Sequence, residues 1–288
     1  DSADEEELLR GARAGADYIL SVNEKNMHIM NDIKSSVPIL IPSAQGDLKS
    51  LERIIKVFIK NKKDFLADPI LDPIHYGFSE SLIRYVNLRK RFPSIKMFMG
   101  TGNLTELTVS DSSGVNVMLM GLVSELSINA VLVVQVSGHC RNSIKETDMA
   151  RKIMYFSKTN KRLPFRINEG LMTTSSRKPT RKSKKEIREI KNLIKDKNYR
   201  IFLSDKGINI LNSEIQIEGI DPFEFYTSLN VEKDASHSFY LGVELARAQI
   251  AFQLGKNYDQ DNELQWGIAY TQVKNLNVHP KLKSTQKK

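Results

Sequence analysis

The chain has 288 residues, 40% of them hydrophobic, and a formal net charge of +9. This length suffices for one large or two ordinary domains with a buried core, and the single cysteine, Cys140, excludes an internal disulfide framework. No apolar run reaches the roughly 20 residues of a membrane span, and no signal peptide is apparent, so we expect a cytoplasmic protein that binds no membrane.

Apolar strands and amphipathic helices alternate over residues 1–158. The strand-like runs are ADYILSV, VPILIP, DFLAD, IKMFM and AVLVVQV. The clearest helix begins after Asp47, a candidate N-cap, and has an apolar stripe of Leu51, Ile54, Ile55 and Phe58. Continuous apolar strands separated by such helices are typical of an α/β fold with a parallel sheet buried on both faces.

The number of strands leaves two architectures open. Five strands can be identified, and Asp1-Ser2 resembles the last residues of a sixth. A (β/α)8 barrel needs eight strands, so its first strands would lie upstream of Asp1. The alternative is an open, doubly wound sheet. No G-x-G-x-x-G sequence opens a helix, which argues against dinucleotide binding.

The pattern changes after residue 158. Residues 159–185 contain the basic stretch SSRKPTRKSKK, which has no interleaved aromatic residues. This composition favours a solvated linker over a nucleic-acid groove, so we expect no nucleic-acid partner. Residues 186–288 contain the short strands YRIFLS, GINIL and EIQIEG, a short helix after Asp221, and a long helix from Ser238 to Leu254. This arrangement predicts a small C-terminal α+β domain.

Polar side chains follow two of the predicted strands in the first domain. Asp68 and Asp72 come after the strand that begins at Phe65, and Asn103 follows IKMFMGTG. In α/β folds, side chains at the carboxyl ends of parallel strands point into the ligand crevice. Asp68 and Asp72 both precede proline, however, and Asp-Pro is also a common turn pair.

Residues 1–158 resemble the later strands of the pterin-binding barrels, which include dihydropteroate synthases and corrinoid-linked methyltetrahydrofolate methyltransferases. The whole chain, including HSFYLGVELARAQIAFQLGKNY, is similar to the dihydropteroate synthase-like proteins, which add a C-terminal domain to the barrel. The resemblance implies the C-terminal part of a (β/α)8 TIM-type pterin-binding barrel, followed by the small α+β domain.

The resemblance also implies a set of pterin-binding residues. Asp1 and Asp68 match strand-end carboxylates that bind the pterin ring, with Asp72 as the competitor of Asp68. Asn103 matches the strand-seven Asn of the methyltransferases, and Asn23 lies a few residues out of register with the strand-four Asn. A carboxylate suits this task because the 2-amino group and N3–H of a pterin form a donor pair.

The chain departs from the synthase pattern where the leaving diphosphate would bind. Leu104 stands where synthases have Lys, and Gln135-Val136-Ser137 stands where they have Arg-x-His. His139 and Arg141, slightly downstream, are the candidate catalytic cations in their place. His139 and Cys140 lack further residues at metal-ligand spacing, so we expect no resident metal, and Mg²⁺ only together with a diphosphate.

Two main functional hypotheses follow. The first is an enzyme of folate or tetrahydromethanopterin-type cofactor biosynthesis, a transferase that joins a hydroxymethyl pterin diphosphate to an arylamine. The alternative is a pterin-binding or methyl-transfer module without synthase activity, and a third is a structural subunit with a vestigial pocket. The expected ligands are a pterin and, for the synthase, an arylamine. A homodimer is one of the oligomeric states that the sequence allows.

Overall fold

The computed structural model describes residues 1–270, which divide into two compact units. The first unit is Asp1–Asn168, and the second begins at Glu169. The division falls inside the segment 159–185 that was predicted as a linker. Residues 271–288, the end of the predicted C-terminal domain, lie outside the described residues. No helix in residues 1–270 combines the length and apolar character that a membrane crossing requires.

The first unit contains six helices and five strands within its described residues. The helices are α1 (Glu5–Arg13), α2 (Leu48–Lys60), α3 (Phe78–Arg91), α4 (Gly102–Thr105), α5 (Ser112–Glu125) and α6 (Ser143–Thr159). The strands are β1 (Tyr18–Val22), β2 (Val37–Leu40), β3 (Leu66–Ala67), β4 (Phe98–Gly100) and β5 (Ala130–Leu132), and two 3-10 helices span Met27–Asn31 and Gly138–Cys140. Each of the five strands lies in one of the predicted apolar runs.

The prediction for α2 is confirmed in detail. Asp47 caps this helix by accepting a hydrogen bond from the backbone N–H of Ser50, and the four apolar residues of the stripe are buried. The side-chain oxygen satisfies one of the N–H groups that an α-helix leaves without a partner at its start. The buried stripe then fixes which face of α2 packs toward the interior.

All five strands of this unit run parallel and follow one another in chain order. Strands β1, β2 and β3 form one sheet, and β4 and β5 form another. A single parallel bridge between Ala67 and Met97 links the two sheets. Because the strands are parallel, their carboxyl ends lie along the same edge, where the segments with the candidate site residues begin.

The prediction of a TIM-type barrel is wrong. Among residues 1–270 no sheet closes, and the outer edges of β1 and β5 have no strand partner. Asp1 and Ser2 lie in an irregular segment before α1 rather than in a strand. Barrel closure requires a continuous ladder of tilted strands, whereas β3 has two residues and one bridge joins it to β4. The strand order shows no reversal, so these strands do not form a doubly wound sheet either.

The second unit is built around an antiparallel sheet. Its helices are α7 (Lys184–Leu193), α8 (Pro222–Tyr226) and α9 (Ala235–Gln253), and its strands are β6 (Arg200–Leu203), β7 (Ile208–Leu211) and β8 (Gln216–Gly219) in the order β6-β7-β8. Leu241, Leu245 and Ala248 of α9 belong to the same buried cluster as Ile201 and Ile210 of the sheet. The fold is therefore mixed α/β, with two small parallel sheets in one unit and an antiparallel sheet in the other.

Candidate functional site

The carboxylate of Asp68 is buried at the end of β3. Its Oδ1 accepts a hydrogen bond from the hydroxyl of Tyr85 at 2.6 Å and another from the backbone N–H of Ile70 at 2.8 Å. Burial raises the pKa of Asp68 to about 6, and these two donors and the N–H of Gly100 partly oppose that shift. The second oxygen, Oδ2, has no side-chain donor among the described residues. A carboxylate has about four acceptor sites, and these three donors fill three of them, so Asp68 is held rigidly and can still accept one further hydrogen bond.

The loop after Asp68 contains a strained residue. Ile70 has a φ of 65°, in the left-handed region that a β-branched residue rarely adopts. Its N–H is bound to Asp68, and its carbonyl accepts a hydrogen bond from Arg84 at 2.9 Å. Strain of this kind persists only where surrounding contacts enforce it, and here a carboxylate and a guanidinium hold the two sides of the same residue.

Asp72 is held by an ion pair. Arg84 of α3 donates to Asp72 Oδ2 at 2.5 Å, and both side chains are buried. The same guanidinium donates to the carbonyl of Pro69 at 3.1 Å. Removing one member of such a pair leaves an uncompensated buried charge. The ion pair identifies Asp72 as a residue that shapes the loop. Asp68, which is not part of this ion pair, is the carboxylate that can accept a further hydrogen bond.

Asn103 lies against the loop that Asp68 begins. Its side-chain amide donates to the carbonyl of Leu71 at 2.9 Å, while the residue itself is exposed in the short helix after β4. A Cβ atom built on Gly100, at the end of β4, would meet no atom within 4 Å, so open space lies over this backbone position. The structure thus brings the Asp68 loop, Asn103 and an open position at Gly100 together.

His139 lies in the 3-10 helix that follows β5 and Arg141 directly after it, and their surroundings differ. His139 Nε2 is 3.1 Å from the carbonyl oxygen of Thr105, which ties the ring to α4. Arg141 is exposed, and within residues 1–270 its guanidinium has neither a hydrogen bond nor an ion pair. Of the two predicted catalytic residues, Arg141 is therefore the one with a cation available to a ligand.

A carboxylate that the sequence did not single out also occupies this region. Glu106 accepts hydrogen bonds from the backbone N–H groups of Val136 and Ser137, both at 2.8 Å. The hydrogen bond of the Ser137 side chain, followed by these backbone donors and the Cys140 side chain, lowers the pKa of Glu106 to about 2. Glu106 is therefore charged at neutral pH and fills two amide groups that could otherwise bind an anion.

Asp1 and Asn23 lie beside β1, two strands away from β3. Asp1 Oδ1 accepts a hydrogen bond from the hydroxyl of Ser21 at 2.5 Å, and Asn23 Oδ1 accepts one from the backbone N–H of Lys25. Strand β2 separates β1 from β3, and two strand spacings amount to about 10 Å. Asp1 and Asn23 are thus near the same edge as Asp68, but Asp1 is bound to Ser21 on β1 and Asn23 is engaged in a local turn.

Three residues that support this site escaped sequence reasoning. Arg84 and Tyr85 are on the buried side of α3, and Glu106 follows α4. One signal was available for Arg84: it is next to the stripe of Ser81, Tyr85 and Leu88, and a charged residue in a buried helix face needs a partner. No comparable signal marks Glu106, because its two amide partners are about thirty residues away.

No group of three or more His, Cys, Asp or Glu side chains in residues 1–270 has the geometry to hold a metal ion. The polar groups of the site are instead suited to hydrogen bonding with a planar ligand: a carboxylate oxygen, an amide and an open glycine backbone.

Comparison with known proteins leaves the family open. No protein-family model matches the chain. The chain is similar to an uncharacterized protein of Methanocaldococcus jannaschii, with 31% identity in an alignment of 304 positions, gaps included, that covers 92% of this chain and 57% of the relative. The chain therefore spans little more than half the length of the curated relative that it matches.

Proposed function

We propose that this protein binds a pterin at the carboxyl edge of β3 and β4. The observation that carries the proposal is the buried Asp68 carboxylate beside the open space over Gly100, whose Oδ2 has no side-chain donor among residues 1–270. A pterin presents N–H donors along its pyrimidine edge, and a fixed carboxylate oxygen is a matching acceptor.

The neighbouring groups fit this ligand as well. Tyr85 and Ile70 hold the carboxylate before the ligand arrives, which reduces the entropic cost of binding. Asn103 is exposed next to the same loop, and its amide oxygen is available to a ring N–H. We also propose a cytoplasmic location, as expected from the sequence.

Synthase chemistry is the second candidate, and one observation favours it. Within residues 1–270, Arg141 is an unpaired cation in the segment that follows β5. In that reaction the arylamine nitrogen would attack the pterin CH₂ group, the C–O bond would break, diphosphate would leave with the electron pair, and the amine would lose a proton. Arg141 would neutralise the charge on the leaving group, with Mg²⁺ arriving on the diphosphate.

Glu106 weighs against the synthase. Its carboxylate is charged at neutral pH and sits on the amide groups of Val136 and Ser137, close in sequence to Arg141. A diphosphate at the end of β5 would be repelled by this charge. Pterin binding without diphosphate displacement is therefore the function that the geometry supports best.

Calorimetric titration with reduced 6-hydroxymethylpterin tests the proposal. Asp68→Asn preserves the shape but presents an N–H donor to the ligand, so we expect its affinity to fall by about 30-fold or more. Asp64→Asn, an exposed Asp just before β3, is the matched control and should bind like the parent. Equal affinities of Asp68→Asn and the parent would refute the pterin site.

Turnover separates the two candidates. The parent protein is incubated with hydroxymethyl pterin diphosphate, para-aminobenzoate and Mg²⁺, and the release of diphosphate is measured. Binding of the pterin without release of diphosphate supports the pterin-binding module. Release of diphosphate that Arg141→Ala abolishes identifies the synthase.

A further inference from the structure

A large apolar groove lies between α3 and α5 of the first unit. Its volume is about 1320 Å³, and its walls include Phe78 and Leu82 of α3 and Val115, Met118 and Leu122 of α5. Met118 is 76% exposed there, although methionine side chains usually fill protein interiors. The lining of the groove includes neither Asp68 nor Asn103, although Ile74 and Leu104, close to them in sequence, belong to it. The proposed pterin site does not explain its extent along α5.

The size of the groove indicates what it holds. Pockets for small molecules measure about 300 to 1,000 Å³, which is smaller than this groove. The α5 residues that line it extend from Gly114 to Glu125, a rise of about 17 Å along the helix axis. The α5 wall of the groove is thus as long as about three turns of a second α-helix.

The floor of the groove allows a close approach. Gly114 and Gly121 are two turns apart on α5, and a Cβ atom on either would meet no atom within 4 Å. Without side chains at these positions, the backbone of another helix can pack near the α5 axis, and the flexible Met118 between them can adjust to its side chains.

One end of the groove is basic. Lys158, Lys161 and Arg162 line it, and within the part of the chain that the structure describes none of them pairs with a carboxylate. Lys158 donates to the carbonyl of Ser124 at 2.6 Å, and Arg162 donates to that of Phe165 at 3.0 Å. Glu125 is the single carboxylate lining this end, and Asp111 lies toward the other, so this end has a net positive charge.

We propose that this groove binds an amphipathic α-helix of a partner protein. The apolar face of that helix lies on Gly114, Met118 and Gly121. Its acidic end meets the basic end of the groove formed by Lys158, Lys161 and Arg162. This is the helix-in-groove mode of recognition, in which apolar side chains three or four residues apart give affinity and the terminal charges set the direction.

Fluorescence anisotropy with a labelled peptide tests the proposal. The probe is an acetylated and amidated amphipathic peptide of about 15 residues, with Leu and Ala on one face and three Glu residues in its last turn. A second peptide has Lys in place of these Glu residues. We expect the Glu peptide to bind the parent protein at least about tenfold more tightly, with a difference that shrinks at high salt.

Two glycine variants locate the binding. Gly121→Leu fills the floor of the groove and should abolish binding of the Glu peptide. Gly242→Leu is the matched control, because Gly242 is also a helical glycine where a Cβ would meet no atom within 4 Å. Both changes replace glycine by a better helix former, so we expect both variants to fold. Lys161→Glu should weaken the binding of the Glu peptide and strengthen the binding of the Lys peptide.

Three results would overturn the proposal. The first is equal affinity for the two peptides or no binding of either, and the second is unchanged binding by Gly121→Leu. The third comes from light scattering: a parent dimer that Gly121→Leu converts to a monomer would show that a second copy of this chain fills the groove.

Discussion

Tyr85 of α3 donates its hydroxyl to Asp68, directly after β3, at 2.6 Å, and both side chains are buried. Burial and the neighbouring carboxylate raise the pKa of Tyr85 well above its ordinary value, so the phenol keeps its proton and remains a donor. This hydrogen bond fixes the orientation of the only carboxylate in the Asp68–Asp72 loop that has no cationic partner at hydrogen-bond distance.

Removal of the Tyr85 hydroxyl should destabilise the fold and free the carboxylate. We expect Tyr85→Phe to lower the free energy of unfolding by about 1 to 3 kcal/mol, because Asp68 loses a donor in a buried position. Urea denaturation measures this change. Tyr76→Phe is the control, since Tyr76 is 73% exposed and surface changes of this kind stay within about 0.5 kcal/mol. Equal losses in both variants would contradict the role of this hydrogen bond.

Stability should depend on pH through Asp68. Its pKa is raised in the fold to about 6, against an ordinary value of 3.8. The folded state therefore binds the proton more tightly. The stabilisation of the fold by protonated Asp68 is fully present below pH 3.8. It is lost as the pH rises to about 6, which lowers the free energy of unfolding by roughly 3 kcal/mol. Asp68→Asn lacks this titration, so the difference in urea midpoint between parent and variant should change over that range. A difference in urea midpoint that stays constant with pH would show that the pKa of Asp68 is not raised in the fold.

Pterin affinity should change in the opposite direction. An ionised Asp68 is a pure acceptor, whereas the protonated acid presents a donor of its own. We therefore expect the affinity of the parent to increase as the pH rises through about 6, measured by calorimetry with one pterin across the range. If Asp68→Asn showed the same pH profile, another group would be responsible.

Breaking the ion pair between Asp72 and Arg84 should cost much more than breaking an exposed one. Asp72→Ala leaves the buried Arg84 guanidinium without its carboxylate, and we expect a loss of about 3 to 5 kcal/mol in unfolding free energy. Asp64→Ala removes an exposed partner of Lys96 and should change stability by less than about 1 kcal/mol. Adding Arg84→Met to Asp72→Ala should recover part of the loss.

Glu106 should control the order of the segment after β5. Glu106→Gln replaces an acceptor-only carboxylate by an amide with a single acceptor oxygen, so one of the Val136 and Ser137 N–H groups loses its partner. We expect hydrogen exchange of these two amides to accelerate by about tenfold, while the amides of β1 are unchanged. Lowering the pH toward 2, the pKa of Glu106 in the fold, should weaken the same contact in the parent. Unchanged exchange in Glu106→Gln would show that other contacts hold the segment.

Much of the local structure could be predicted from the sequence because its causes are local. The Asp47 cap and the buried stripe of α2 follow from residues within four positions of one another. Asp221 likewise caps a helix that begins with proline, as its sequence predicts. The strands coincide with apolar runs. In β2 the reason is burial on both faces, which needs apolar residues throughout, whereas β5 is apolar although only partly buried.

The sequence by itself therefore determined where the strands and helices lie and that polar residues follow β3 and β4. Only the tertiary structure decided that no barrel closes, because closure depends on the number and stagger of strands rather than on the character of any one strand. It also decided between the two carboxylates of one loop: Arg84, 12 residues beyond Asp72, pairs with that residue, while Tyr85, 17 residues beyond Asp68, leaves Asp68 Oδ2 to accept another hydrogen bond. Contacts between residues on different elements are set by packing, and hydrophobic periodicity specifies which face of an element is buried but not which side chain it meets there.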